Sequence, residues 1–246
     1  MLYGREREVQ DLVENLRHGV HTLVFGPSGV GKSTLLKEAA RLLSSNQECE
    51  RLVAYVGDCS SRKVLLKCAL DALAGNFGVS VFPPALPDMR HRGFLLKDLR
   101  NALIQISREK HLCLILDHFP TLHHRMRHLL EMLEEHCTLA CGVTAPRCGY
   151  DLYFWKFAAL EVHDLPRESA LSWIDEEIGR MGYEGRIRQA IGLELLRLTN
   201  RNPGLISRTL DVIRTQRVPL DDPIRVRRML LEGRIGSITS MHSGEK

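Results

Sequence analysis

Residues Gly26-Pro27-Ser28-Gly29-Val30-Gly31-Lys32-Ser33-Thr34 follow directly on the apolar run Val20-His21-Thr22-Leu23-Val24-Phe25. Their types and spacing suit one task, the holding of a polyphosphate. Gly26, Gly29 and Gly31 let the backbone turn tightly enough for successive N–H groups to point at phosphate oxygens, where side chains would collide with the ligand. Lys32 supplies a mobile cation for the β- and γ-phosphates. The Ser33 hydroxyl is placed to ligate Mg²⁺ at the start of a helix whose positive dipole end faces the anion. The full G-x-x-x-x-G-K-[ST] pattern, set between a strand-like run and the helical residues 35–43, is far more specific than a glycine-rich turn. The expected ligand is a nucleoside triphosphate with Mg²⁺.

A second acidic position belongs to the same chemistry. The apolar run Leu112-Cys113-Leu114-Ile115-Leu116 ends on Asp117, whose carboxylate is expected to hold Mg²⁺ through water opposite Ser33. The alternative is an acid that caps the helix of residues 121–136. His118 stands where a hydrolytic site usually carries a second carboxylate to orient the attacking water. His118 could take that role near neutral pH, Asp58 could reach in from the end of the Tyr55 strand, or hydrolysis is slow. A histidine packed under the loop without a catalytic part is an equal alternative. Thr144 closes a third apolar run and Arg147 follows it in Thr144-Ala145-Pro146-Arg147. That position can bring a hydroxyl and a guanidinium to the γ-phosphate, where charge grows during transfer; a plain turn set by Pro146 is the competing reading.

These residues need a scaffold, and the periodicity supplies one. Val9, Leu12, Val13 and Leu16 form a one-sided helical stripe that ends at Gly19, just ahead of the first strand. Strands are expected at residues 20–25, 52–56, 112–116, 138–144 and 160–162, with helices between them at about 63–73, 94–106 and 122–136. Residues 75–88 carry Pro83, Pro84 and Pro87 and read as a loop. Strands alternating with helices imply a parallel sheet covered on both faces. From Arg167 the pattern is helical only, at about 168–181, 186–199, 203–216 and 223–231. The expected organisation is an α/β nucleotide-binding core over residues 1–165, a helical subdomain over 166–235 and a flexible tail over 236–246.

Composition narrows the class. The 246 residues, 44% of them hydrophobic, can bury one α/β core with a small appended subdomain. No apolar run approaches the roughly 18 residues of a membrane span, and the charged opening does not resemble a secretory signal; a cytoplasmic protein is expected. The cysteines at 49, 59, 68, 113, 137, 141 and 148 include no C-x-x-C pair, so reduced buried thiols are the simplest reading. Cys137, Cys141 and Cys148, or His118, His123, His124 and His128, lack the paired spacing of a zinc module. The net charge of +4 lies wholly between Arg201 and Lys246, where nine basic residues face five acids. Acids interleaved at helical spacing and the lack of aromatics there favour a solvated helix face over a nucleic-acid surface.

Taken in order, these motifs resemble AAA+ ATPases, in the branch that includes origin-recognition-type initiators and STAND ATPases. Tyr3-Gly4-Arg5-Glu6-Arg7-Glu8-Val9-Gln10-Asp11-Leu12 is similar to the G-R-E-x-E-x-x-x-L box that lies against adenine in that family. Gly26 to Ser33 matches Walker A, Leu112 to Asp117 matches Walker B, and Thr144 falls at the sensor 1 position. Arg201-Asn202-Pro203-Gly204-Leu205-Ile206 is similar to the G-N-P-L-A-L element of STAND lids, whose proline touches the nucleobase. The resemblance implies an AAA+ P-loop core with a C-terminal α-helical lid, ATP and Mg²⁺ as cofactors, and Tyr3, Gly4, Arg5, the loop residues 26–34 and Pro203 as the nucleotide-binding set. It implies a slow ATPase acting as a nucleotide-controlled switch, or a weakly hydrolysing module that assembles on DNA or a protein partner. A homo-oligomer is a further implication, with Arg125, Arg127 and Arg147 as candidates to complete a neighbour's site. The chain departs from the pattern in three ways. His118 replaces the second acid, no sensor 2 arginine precedes Pro203 in the initiator pattern, and the residues after Pro203 are too few for a winged-helix domain. A small-molecule phosphotransferase needs neither the Tyr3 box nor the trailing helices.

Overall fold

A computed structural model describes residues 3–45, 51–77, 95–119, 122–144, 151–183 and 185–216. The chain divides into two compact units. The sheet unit comprises Glu6–Pro27 and Lys32–Val162; the helical unit takes in residues 3–5, Ser28–Gly31 and the described chain from His163 onward.

In the sheet unit, α1 (Glu6–Arg17) buries the stripe Val9, Leu12, Val13 and Leu16, each fully buried apolar side chain contributing about 1.5–3 kcal/mol. β1 (Thr22–Phe25), α2 (Lys32–Ser45), β2 (Leu52–Val56), α3 (Arg62–Phe77), α4 (Leu96–Glu109), β3 (Leu112–Leu116), α5 (His124–Glu134), β4 (Cys137–Val143), α6 (Asp151–Phe154) and β5 (Ala158–Glu161) follow. The five strands form one sheet in the order β2-β3-β4-β1-β5, and every pairing is parallel. β3 is buried along its whole length, as a strand covered on both faces must be. Leu114, Leu116, Leu139 and Cys141 of the sheet pack with Leu65, Leu66 and Leu73 of α3, Leu103 of α4 and Leu130 of α5 into one core.

Parallel connection brings the loops after β1, β2, β3 and β4 to one edge of the sheet. Open α/β sheets bind ligands at that edge.

The helical unit contains α7 (Arg167–Arg180), α8 (Gly185–Thr199) and α9 (Pro203–Gln216). Its separate core is formed by Ala170, Ile174, Ile178, Ile191, Leu195, Ile206, Leu210 and Ile213. The helix expected at 223–231 and the tail at 236–246 lie outside the described residues, as does most of the arginine-rich end.

Cys59, Cys113, Cys137 and Cys141 are buried free thiols and Cys68 is partly buried. Burial pushes Cys59, Cys113 and Cys137 up to about 12. Among the described residues no group of three or more His, Cys, Asp or Glu is placed to hold a metal ion, and no helix is long and apolar enough to cross a membrane.

Candidate nucleotide site

Within the sheet unit, β1 delivers Gly26 and Pro27, and α2 opens on Lys32. Lys32 Nζ donates to the carbonyls of Gly26 and Pro27, 2.8 Å each. Burial lowers the pKa of this ammonium, and the neighbouring Asp117 works in the opposite direction. Thr34 is exposed on the first turn of α2.

Asp117 follows β3 and is 1% exposed. Such a carboxylate survives burial because both oxygens accept hydrogen bonds: Tyr55 Oη donates to Oδ2 at 2.7 Å and the His118 N–H to Oδ1 at 2.8 Å. The backbone fixes its height at the sheet edge, with Asp117 N–H on Val56 O at 2.9 Å and Phe119 N–H on Gly142 O at 3.0 Å. Gly142 leaves the space, since a Cβ there would stand 2.6 Å from Leu36 Cδ1 and 3.2 Å from Asp117 Oδ1. Burial, and then the bond to Asp117, push the Tyr55 phenol well above its ordinary pKa, which keeps it a donor. Helix α5 is capped by His123, whose Nδ1 accepts from Met126 N–H at 3.2 Å, so capping is not the task of Asp117.

His118 adopts φ +50°. Its Nε2 lies 3.4 Å from Ser33 Oγ and 3.6 Å from Asp117 Oδ2, on a side chain that is 73% exposed. The ring therefore faces solvent beside the serine and is not packed under the loop. Asp58 does not supply the missing acid: its Oδ1 accepts the Ser60 N–H at 2.8 Å, and that bond holds the exposed carboxyl below its usual range. Thr144 is exposed directly after β4 and makes no hydrogen bond among the described residues. Arg147 and Pro146 lie outside the described residues. Arg127 pairs with Glu131 at 2.8 Å, whereas Arg125 is exposed.

The tip of the loop, Ser28–Gly31, belongs to the helical unit. Asn202 Nδ2 donates to Ser28 O at 3.1 Å, Gly204 N–H donates to Gly29 O at 2.8 Å and the Arg5 guanidinium donates to Val30 O at 3.1 Å. Arg5 is 5% exposed and also bonds to the His163 carbonyl. Gly29, at φ +81°, and Gly31, at φ +98°, have backbones that other residues adopt only under strain. Asn202 does two things at once, because its Oδ1 also accepts Leu205 N–H at 3.2 Å and so caps α9. The turn before it is strained, with Asn200 at φ +47° and Arg201 at φ +63°. Pro203 Cγ lies 4.0 Å from where a Cβ on Gly31 would stand. Tyr3 stacks on Trp173 with ring centroids 5.5 Å apart and donates to Glu176 at 2.5 Å, and Gly4 turns at φ +59° against Ser169.

In each unit the loop carbonyls are thus engaged: Gly26 and Pro27 by Lys32, and Ser28, Gly29 and Val30 by Asn202, Gly204 and Arg5. A loop whose acceptors are taken presents donors, the requirement for an anion cradle. Nucleoside triphosphate with Mg²⁺ fits this set, since Mg²⁺ keeps several waters and needs only one or two protein oxygens, which Ser33 and Asp117 can supply. Sequence reasoning missed Tyr55, Gly142 and the parts played by Asn202 and Gly204. A tyrosine inside an otherwise aliphatic strand was the available signal, because its hydroxyl must find a partner.

Residues 1–140 match the model of the AAA ATPase domain family. No curated protein matches the chain. Among solved structures, the chain is similar to Orc1 of Aeropyrum pernix, determined in complex with DNA, at 16% identity and a TM-score of 0.64, covering 96% of this chain and 66% of that one. PCH-2 of C. elegans is similar at 11% identity and a TM-score of 0.57, with 95% and 69% covered. Cdc6p of Pyrobaculum aerophilum is similar at 14% identity and a TM-score of 0.53, with 86% and 61% covered. The chain therefore spans about two thirds of the length of these structures, and at such identities they speak for the fold alone. Because the family model covers more than half of the chain, and the parallel sheet and phosphate loop agree with it, the protein belongs to the AAA ATPase domain family, as an AAA+ P-loop ATPase with a fold of the origin-recognition type.

Proposed function

We propose that this AAA+ protein is a slow, Mg²⁺-dependent ATPase that works as a nucleotide-controlled switch. The observation that carries the reading is the bonding of Ser28, Gly29 and Val30 carbonyls to Asn202, Gly204 and Arg5. A phosphate held by the N–H groups of that tip acts directly on peptide units to which α9 and the Arg5 segment are bonded, so its arrival and loss bias the helical unit. Gly26, Pro27, Ser28, Gly29, Val30, Gly31, Lys32, Ser33 and Thr34 would bind the phosphates, Ser33 and Asp117 the Mg²⁺, and Tyr3, Gly4, Arg5 and Pro203 the adenosine side. The metal would neutralise charge on the transferring phosphoryl group. Tyr55 and the His118 N–H keep the Asp117 carboxylate in one orientation. Thr144 and Arg147 remain the candidates to meet the γ-phosphate.

Low turnover follows from His118. Among the described residues no second carboxylate stands beside Asp117, and Asp58 is turned into its own Ser60 bond. This also favours a second reading, a nucleotide-binding module that barely hydrolyses and assembles on DNA or a protein partner. Phosphate release by the intact protein and by Lys32→Ala separates the two. Measurable release that the variant abolishes supports the ATPase; equal, undetectable release removes it. DNA binding that strengthens with ATP and weakens with salt supports assembly on nucleic acid.

A further inference from the structure

A cavity of about 270 Å³ lies in the sheet unit, lined by Arg62 and Leu66 of α3, Leu96, Lys97 and Arg100 of α4, and His128, Leu129 and Met132 of α5. We propose that it is a docking site for an acidic, leucine-type peptide segment of a partner protein, which places a carboxylate among Arg62, Lys97 and Arg100 and an aliphatic side chain on Leu66, Leu129 and Met132.

Charge is the first argument. No acid is among the described lining residues, and Arg62, Lys97 and Arg100 form no ion pair among the described residues. His128 alone has an anionic neighbour, Glu131 at 4.0 Å, and that carboxylate is already bonded to Arg127 at 2.8 Å. The cations also sit at the wrong ends of their helices. Arg62 opens α3, Lys97 and Arg100 lie in the first turns of α4, and His128 is in the second turn of α5, all near N-termini whose dipole favours anions. The start of α4 has no side-chain cap, since Leu95 provides no acceptor there and the Asp98 N–H is held by the Leu95 carbonyl at 3.0 Å. Arg100 is the sharpest indicator: its Nε is buried without a hydrogen-bond partner. A buried donor left unpaired is the expensive case, which a bound anion would relieve.

Size and lining decide the class of ligand. The cavity falls below the roughly 300 Å³ at which pockets begin to enclose drug-sized molecules, so it suits one or two side chains. Half of its lining is aliphatic, with Leu66 and Leu129 buried. A nucleic-acid backbone would leave that surface wet, and the described lining offers no aromatic ring for a base to stack on. A cationic cluster reading an acidic motif, with an apolar anchor beside it, is an established mode of peptide recognition.

The test uses the full chain and a short fluorescein-labelled peptide of alternating leucine and glutamate, followed by anisotropy at low and at physiological salt. Binding is expected to weaken with salt, to disappear when glutamine replaces glutamate in the peptide, and to fall about tenfold in Lys97→Gln and in Arg100→Gln, each losing a charge-assisted bond. Lys97 is exposed, so its variant remains informative should Arg100→Gln unfold. Lys32→Ala should bind the peptide as the wild type does, which keeps this site separate from the nucleotide reading. Equal binding of the glutamine peptide overturns the proposal. So does wild-type affinity in both variants, and so does displacement by a single-stranded oligonucleotide whose own binding needs Lys97 and Arg100.

Discussion

Replacing Gly204 by alanine tests the bond between α9 and the phosphate loop, because two effects of opposite sign meet at one residue. Gly204 is the second residue of α9. In a free helix the exchange stabilises by about 0.5–1 kcal/mol, since alanine has less backbone entropy to lose. Here the new Cβ would stand 2.9 Å from Gly29 Cα and 3.1 Å from Gly29 O, and both atoms are backbone that cannot swing aside. Overpacking of this kind costs about 1–3 kcal/mol, and the 2.8 Å bond from Gly204 N–H to Gly29 O must lengthen as the two segments part. The net expectation is a loss of about 0.5–2 kcal/mol, or roughly 2–16 °C in the melting of a unit this small, together with weaker ATP binding. Gly75→Ala is the internal control. It lies within α3 with nothing within 4 Å of the added Cβ, so it should gain the 0.5–1 kcal/mol that Gly204→Ala forfeits. Calorimetry and titration with a fluorescent ATP analogue read both quantities. If Gly204→Ala melts at or above the wild type and binds nucleotide equally, the loop is not held by α9 and the proposed switch loses its structural basis.

The remaining expectations concern the same network. Asn202→Ala removes the α9 cap and the donor to Ser28 O, for a loss of about 1–2 kcal/mol; Asn202→Asp keeps the cap and should fall between the two in chemical denaturation. Tyr55→Phe strips one donor from the buried Asp117 carboxylate and should cost about 1–3 kcal/mol by urea unfolding, with lower ATP turnover. Cys59, Cys113 and Cys137 are raised to about 12 in the folded protein. Their stabilising contribution is therefore complete below the ordinary thiol value near 9 and is lost between pH 9 and 12, at about 1.4 kcal/mol per pH unit for each group. Urea midpoints should fall across that range, and less steeply in Cys113→Ala. His118→Gly relieves a left-handed backbone worth about 1–3 kcal/mol of strain, less the entropy that glycine loses, so stability should hold or rise slightly while ATP turnover falls. A marked loss of stability would show that the ring supports the core instead.

Sequence patterns revealed the strands because their faces are buried on both sides, and the long helices because their stripes are regular. β5 is the exception. Its residues alternate between partly buried and exposed, so the strand at Ala158–Glu161 is defined by pairing with β1, and apolarity alone shifts it to 160–162. The short α6 is hidden in an aromatic segment whose rings pack edge to face, Tyr153 on Phe154 at 4.9 Å and Phe154 on Phe157 at 5.0 Å. At the site, motif spacing located Lys32, Ser33 and Asp117. It could not show that Tyr55 reaches Asp117, because that bond depends on β2 and β3 lying in register, with Val56 opposite Leu116. Asn202 and Ser28 are 174 residues apart, a separation that no local pattern spans.

Binding and turnover rest on unequal foundations in this chain. In the sheet unit Lys32 takes the carbonyls of Gly26 and Pro27, and in the helical unit Ser28, Gly29 and Val30 each have a separate donor, so no single side-chain loss frees the carbonyls of both segments. Hydrolysis depends on fewer groups. Asp117 is held by two hydrogen bonds and by Gly142, which fixes the carboxylate but leaves it little freedom to assume a second task. The next position is occupied by a residue in a left-handed backbone with its ring in solvent. A group so placed can touch Ser33, yet it is not preorganised by neighbours, and catalysis of phosphoryl transfer is largely preorganisation. This geometry is the ground on which we propose that the protein hydrolyses its nucleotide slowly. Under that proposal each nucleotide state would last long enough for α9, bonded to the loop through Asn202 and Gly204, to respond to it.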